Sequence, residues 1–152
     1  MKITKCNSKG KAIIKKYEGF RSKPYLCPAK VPTIGYGSTY YENGVKVKLT
    51  DPPITEERAS DLLDALLLHY EQGVDSYCRD DINENQFSAL VSFAYNVGLG
   101  NLKSSILLKK LNKNPNDPTI KDEFLKWNKG GGKVLTGLTK RRTDEAQLYF
   151  TV

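Results

Sequence analysis

Residues 24–50 restrict the possible folds more than any other stretch of the chain. Pro24, Pro28, Pro32, Gly35, Gly37 and Gly44 punctuate a run otherwise rich in Tyr, Val, Ile and Thr. A helix cannot pass through it, because proline lacks a backbone N–H and interior glycine costs a helix about 1 kcal/mol. Pro24-Tyr25-Leu26-Cys27 and Val31-Pro32-Thr33-Ile34-Gly35-Tyr36-Gly37 read as short strands. Asn43-Gly44 is a hairpin signal, and Val45-Lys46-Val47-Lys48-Leu49 alternates as a half-buried strand does. The stretch predicts a small antiparallel sheet set among helices.

The flanking patterns have helical periods. A first helix is predicted from Ser8 to Tyr17-Glu18, with Ile13, Ile14 and Tyr17 on its apolar side, ending before Gly19. After Asp51-Pro52-Pro53, Thr55 caps a long helix with Glu56 and Glu57 in its first turn and Ala59, Leu62, Leu63, Leu66, Tyr70, Val74 and Tyr77 on one side. Asn83-Glu84-Asn85-Gln86 has the form of a capping box, followed by Phe87, Leu90, Val91, Ala94 and Tyr95 until Gly98. A shorter helix is expected around 104–111. Asp117-Pro118 opens another, carrying Ile120, Phe124 and Trp127, and Gly130-Gly131-Gly132 is a flexible connection to a last helix near 139–150. The expectation is a single α+β domain over 1–152. A small N-terminal β lobe occupies about 12–55 and an all-helical C-terminal lobe about 56–152, the first helix packing on the latter. The long helix joins the lobes and an active-site cleft lies between them.

Charge and composition exclude more than they select. With 24 basic and 17 acidic residues the formal charge is +7, which favours an anionic partner such as nucleic acid, a membrane surface or bacterial wall polymer. No run reaches the roughly 18 uncharged apolar residues of a membrane span; the longest candidate, Leu62–Leu68, is broken by Asp64. The N-terminal Met1-Lys2-Ile3-Thr4-Lys5-Cys6-Asn7 has no apolar stretch behind it and no small-residue cleavage site, so no secretory signal and synthesis in a cytoplasm are expected. Cys6, Cys27 and Cys78 are too few for a disulfide scaffold. The single histidine, His69, excludes a site of several imidazoles and is expected at the surface or a lobe interface. No phosphate-binding loop, HExxH or CxxC motif is present, and Gly35-Tyr36-Gly37 lacks the third glycine of a dinucleotide site. Neither a metal nor a cofactor is expected.

What remains is Glu18, at the C-terminal end of a helix. The negative pole of the helix dipole disfavours an ionised carboxylate there, as a general acid requires. Taken alone, Glu18 reads equally as an ordinary surface glutamate. Its surroundings add specificity: Glu18-Gly19-Phe20-Arg21, Cys27 nine residues after the glutamate, and Thr33-Ile34-Gly35-Tyr36-Gly37 beginning fifteen after it. This pattern resembles the catalytic signature of phage-type lysozymes, glycoside hydrolase family 24. The likeness continues through Asn85–Gly98, Phe124–Asn128 and Gly132–Leu138 with Arg141-Arg142. Three departures stand out: Ser38-Thr39 replaces a His-Thr pair, Lys30 stands where a turn glycine is usual, and Thr136 where proline is usual. Position 27 is Cys where Asp is more familiar.

The resemblance implies hydrolysis of the β-1,4 bond between N-acetylmuramic acid and N-acetylglucosamine in peptidoglycan. By the same likeness Glu18 is the proton donor. Cys27 and Thr33 share the opposite role, Thr33 by hydrogen-bonding the attacking water and Cys27 as a thiolate or positioned thiol. Gln86, Phe93 and Asn96 are expected to line the substrate side of the central helix. Arg21 is read as structural, and one of Arg141 and Arg142 as orienting Glu18. A transglycosylase acting on the same bond and an inactive wall-binding module are the competing readings. A nucleic-acid binder would need a basic helix with interleaved aromatics, which is missing. The implied setting is a phage or prophage endolysin. It would be a monomer without stable membrane insertion, released to the wall through a lesion made by a holin-type partner.

Overall fold

The computed structural model describes residues 3–152; Met1 and Lys2, part of the stretch read above as lacking a secretory signal, lie outside the described residues. The element order is α1 (Ser8–Glu18), β1 (Arg21–Leu26), β2 (Pro32–Gly35), α2 (Glu56–Tyr77), α3 (Glu84–Val97), α4 (Leu99–Ser104), α5 (Ile106–Lys113), α6 (Ile120–Leu125), β3 (Lys129–Gly130), β4 (Lys133–Val134) and α7 (Thr136–Tyr149). This is the expected α+β class. Two compact units form. One comprises Lys15–His69; the other comprises the described residues up to Ile14 together with Tyr70–Val152. The divisions fall inside α1 and α2, not at residues 12 and 55. Among the described residues, no helix is long and apolar enough to cross a membrane.

In the smaller unit, β1 pairs with β2 in antiparallel register, Arg21 opposite Gly35, Tyr25 opposite Thr33 and Leu26 opposite Pro32. Four steps along β1 therefore match two along β2. The irregularity spans Pro24, which has no N–H to contribute to the ladder. Ile34, Val47 and Leu62 form the core, with Tyr41 and Ile54 against it. Gly35 has φ 67°, and a Cβ there would lie 3.1 Å from Ala59 Cβ. Glycine thus lets β2 approach α2 closely. The turn expected at Asn43-Gly44 forms, Gly44 N–H donating to Tyr41 O at 2.9 Å and Tyr41 N–H to Val45 O at 2.9 Å. The strand expected at 45–49 shrinks to one bridge, Tyr40 opposite Lys46. Only Val47 of its apolar residues is buried; Val45 and Leu49 are exposed, so little burial drives a longer ladder.

The larger unit is built around α3, in which every residue from Asn85 to Ala94 is buried. A helix enclosed on all sides is a central one. Its capping box forms as expected, Asn83 accepting from Gln86 N–H and the Gln86 side chain from Asn83 N–H. Phe93 stacks edge-on against Phe124 at 5.5 Å and Trp127 at 5.7 Å, and Phe124 lies 5.7 Å from Tyr149. The N-terminal turn of α1 sits close on α3: a Cβ on Gly10 would fall 2.8 Å from Ser88 Cβ. The helix expected near 104–111 begins at Ser105, whose side chain accepts from Leu108 N–H. The triple glycine is not a loose connection. Gly131 and Gly132 have φ 59° and 80° and close the β3–β4 hairpin, a two-residue turn that needs positive φ at both positions.

Candidate active site

Glu18 is the last residue of α1 and half-buried. Gly19, at φ 73°, donates its N–H to Lys15 O at 3.0 Å. This left-handed cap ends the helix and turns the chain directly into β1. The next constraint is the β1–β2 turn. Cys27 N–H donates to Val31 O at 3.1 Å and Lys30 N–H to Cys27 O at 2.7 Å, extending the hairpin past Leu26.

Because Tyr25 faces Thr33 and alternate residues share a face, Tyr25, Cys27, Val31 and Thr33 lie on one side of the hairpin. Thr33 is buried and donates its hydroxyl proton to Val31 O at 2.8 Å. Cys27 is half-buried. Backbone hydrogen bonding from Val31 is the largest influence on its thiol and stabilises the thiolate. Desolvation opposes this, and hydrogen bonds from the Ala29 backbone and the Thr33 hydroxyl add to it, so the thiol is held below its ordinary value. The smaller unit therefore carries a half-buried carboxyl and a hairpin face bearing a thiol held below its ordinary value beside a threonine hydroxyl.

Tyr25 belongs to this group and escaped the sequence reading. Burial raises the tendency of its phenol to stay protonated, Arg21 opposes that, and the charges of Glu18 and Cys27 reinforce it. Tyr25 is thus within electrostatic reach of both residues. The signal that could have found it is its position two residues before Cys27, on the same face. Arg21 stacks on the Tyr25 ring, 4.3 Å from guanidinium carbon to ring centre.

The remaining expected residues belong to the larger unit. Gln86 is 6% exposed; its Oε1 accepts from Asn83 N–H at 2.9 Å and its Nε2 donates to Pro115 O at 3.4 Å. Phe93 is fully buried in the aromatic core. Both therefore build the helix and its packing, and neither presents the exposed surface expected of a substrate contact. Asn96 is exposed and lines a concavity of ≈ 440 Å³ together with Asn101, Trp127, Lys129 and Leu138. Arg142 Nη2 donates to Asn96 Oδ1 at 2.9 Å, which orients the amide so that its oxygen faces Arg142.

Arg141 and Arg142 converge on Glu145, which the sequence reading did not single out. Arg141 Nε lies 3.3 Å from Glu145 Oε2, and Ser92 Oγ donates to the same oxygen at 2.5 Å. Arg142 Nε approaches Glu145 Oε1 at 2.8 Å, in a direction that does not form a hydrogen bond, so both atoms lack one. The attraction there is an ion pair, and the Arg142 guanidinium also lies over the Phe93 ring at 5.0 Å. Arg-Arg-x-x-Glu at helical spacing was the available signal.

The chain is similar to known proteins over most of its length. The phage lysozyme family model matches residues 15–145. The endolysin of Bacillus phage B103 is 48% identical over 141 residues, covering 91% of this chain and 51% of that protein. The endolysin of Salmonella phage P22 is 35% identical over 140 residues, covering 92% and 94%. Among solved structures, the endolysin from Escherichia coli O157:H7 phage FAHEc1 superposes with a TM-score of 0.86 at 32% identity, covering 96% of this chain and 93% of that one. The chain spans about half the length of the Bacillus phage relatives it matches, B103 and PZA. With a family match across most of its length, this chain belongs to the phage lysozyme family.

Proposed function

We propose that the chain hydrolyses the β-1,4 linkage between N-acetylmuramic acid and N-acetylglucosamine in bacterial peptidoglycan. The observation that carries this reading is the shared hairpin face of Cys27 and Thr33 on the unit that also bears Glu18 at a helix end. Glycoside cleavage needs a proton for the leaving oxygen and, on the other face of the sugar, a group that holds water or offsets positive charge. Glu18 supplies the proton. A thiolate at Cys27 offsets charge at the anomeric carbon. The Thr33 hydroxyl, whose proton points to Val31 O, offers its lone pairs to an O–H of the attacking water and so aims the water's own lone pair at carbon; the proton that the water sheds on bonding passes through solvent to the Glu18 carboxylate and restores the acid. Asn96 and Trp127 are assigned to saccharide contact through amide hydrogen bonds and an apolar ring face.

The test is mass spectrometry of the products from purified peptidoglycan. Hydrolysis leaves a reducing N-acetylmuramic acid end. A 1,6-anhydro end would mean that the same bond is cut without water, and no new ends would leave a wall-binding module.

A further inference from the structure

The turn that carries Cys27 also carries Lys30, the single non-glycine with positive φ among the described residues, at 62°. A side chain in this conformation is strained relative to glycine, because its Cβ crowds the following carbonyl oxygen. Backbone strain held beside a candidate site is a pointer to function. The position of the Lys30 side chain supplies a reason for retaining it. Lys30 and Lys46 line a concavity of ≈ 320 Å³ with Val31, Pro32, Thr39 and Tyr40. Its two charged lining residues are both cationic, and no carboxylate lines it. Lys46 is fixed opposite Tyr40 by the bridge between them, and Val47 N–H donates to Thr39 O at 2.9 Å, so the backbone on that wall is tied down. The Val31-Pro32 segment also lines the concavity, and its Val31 carbonyl receives both Cys27 N–H and the Thr33 hydroxyl.

We infer that Lys30 and Lys46 form a cradle for an oxyanion carried by the glycan strand, which registers the strand against the Cys27–Thr33 face. The inference rests on the peptidoglycan reading above and deepens it. The shared chemistry is a singly bonded, charged oxygen group. Two wall components present one: the carboxylates of the stem peptides and the phosphodiesters of attached wall polymers. Neutral sugar alone would leave both ammonium groups without a counter-charge.

Binding to insoluble walls, measured by co-sedimentation at low ionic strength with every chain carrying Glu18→Gln so that the walls persist, tests the cradle. Three preparations separate the sources: intact walls, walls stripped of phosphate polymers by hydrofluoric acid, and stripped walls whose carboxylates have been amidated. The Lys30→Gly/Lys46→Gln double variant should bind intact walls roughly 2- to 30-fold more weakly than its parent, the range for two exposed charge pairs. It should also be less sensitive than the parent, and than the control variant, to whichever treatment weakens the parent, and that treatment names the oxyanion. A Lys109→Gln/Lys113→Gln control of equal charge should stay within about 2-fold of the parent, since exposed pairs on an unrelated helix contribute little. Both Lys30→Gly and the double variant should melt no lower than the parent, because relief of the strained φ offsets the extra backbone freedom of glycine, which excludes misfolding as the cause of weaker binding. Parental affinity in the double variant, or an equal loss in the control, overturns the cradle. Release of reducing ends by the chain with Glu18 intact, followed separately, reports on the peptidoglycan reading, so either proposal can fail alone.

Discussion

The Thr33 hydroxyl donates to the Val31 carbonyl at 2.8 Å. The same oxygen accepts the backbone N–H of Cys27 at 3.1 Å, so one carbonyl ties both candidate residues to the hairpin turn. A hydroxyl has one proton, and its two acceptors here are this carbonyl and the Cys27 sulfur. Loss of the sulfur's proton strengthens its claim on that hydrogen bond.

Selective alkylation is expected at Cys27. The thiolate is the reactive form; Cys27 is half-buried with its thiol held low, chiefly by the Val31 backbone. Cys6 is buried, and burial pushes the Cys78 thiol up to about 12. Brief iodoacetamide treatment at neutral pH, followed by peptide mapping, should find the label on Cys27 and little on the other two. Activity dependent on the thiolate should fall as pH drops through the lowered Cys27 value. Cys27→Asp should retain that activity to lower pH, because a carboxylate ionises earlier, whereas Cys27→Ala should lose most of it. Equal labelling of all three cysteines would contradict the assignment.

Ser38 is fully buried and its hydroxyl has no hydrogen-bond partner among the described residues. Leaving a buried hydroxyl unsatisfied costs about 1–3 kcal/mol. Ser38→Ala should therefore be as stable as the parent or more stable by roughly 1 kcal/mol, measured by urea denaturation. A loss beyond about 1 kcal/mol, the worth of a typical made hydrogen bond, would show that the hydroxyl is satisfied in solution.

Glu145 is fully buried between Arg141 and Arg142. Removing one member of a buried ionic cluster strands the others without compensation and costs about 3–5 kcal/mol. Glu145→Ala should show that loss in chemical denaturation, whereas Lys109→Ala, on an exposed face of α5, should change stability by less than about 0.5 kcal/mol. Parental stability in Glu145→Ala would remove the cluster from any structural account.

Elements with local causes were legible in the sequence. α1 stops where Gly19 supplies a left-handed cap, and α3 starts where Asn83 and Gln86 cap each other. The same box shows what local reading misses. Gln86 looked like a polar group available to substrate, and only the three-dimensional cap and Pro115 O show both of its amide atoms engaged. Phe93 was assigned to the substrate side because a helical period cannot say that α3 is enclosed all round. Gly130-Gly131-Gly132 read as slack because composition does not reveal that β3 and β4 pair across it. Taken by itself Glu18 reads as an ordinary surface glutamate; Glu18, Cys27 and Thr33 of the candidate site were singled out by the likeness of their motifs to phage-type lysozymes. Tyr25 was not, since its place on the same face depends on the register around the Pro24 irregularity.

The central claim is that Glu18 donates the proton to the leaving sugar. Release of reducing ends from purified peptidoglycan, compared between the parent chain and Glu18→Gln at equal concentration, tests it most directly. The amide is nearly isosteric and cannot give up a proton, so the rate should fall by at least the ~10²–10⁴-fold that general acid catalysis supplies, with an unchanged circular dichroism spectrum and Tm. Reducing-end release by folded Glu18→Gln within a few-fold of the parent rate would contradict the account and move the proton donor elsewhere.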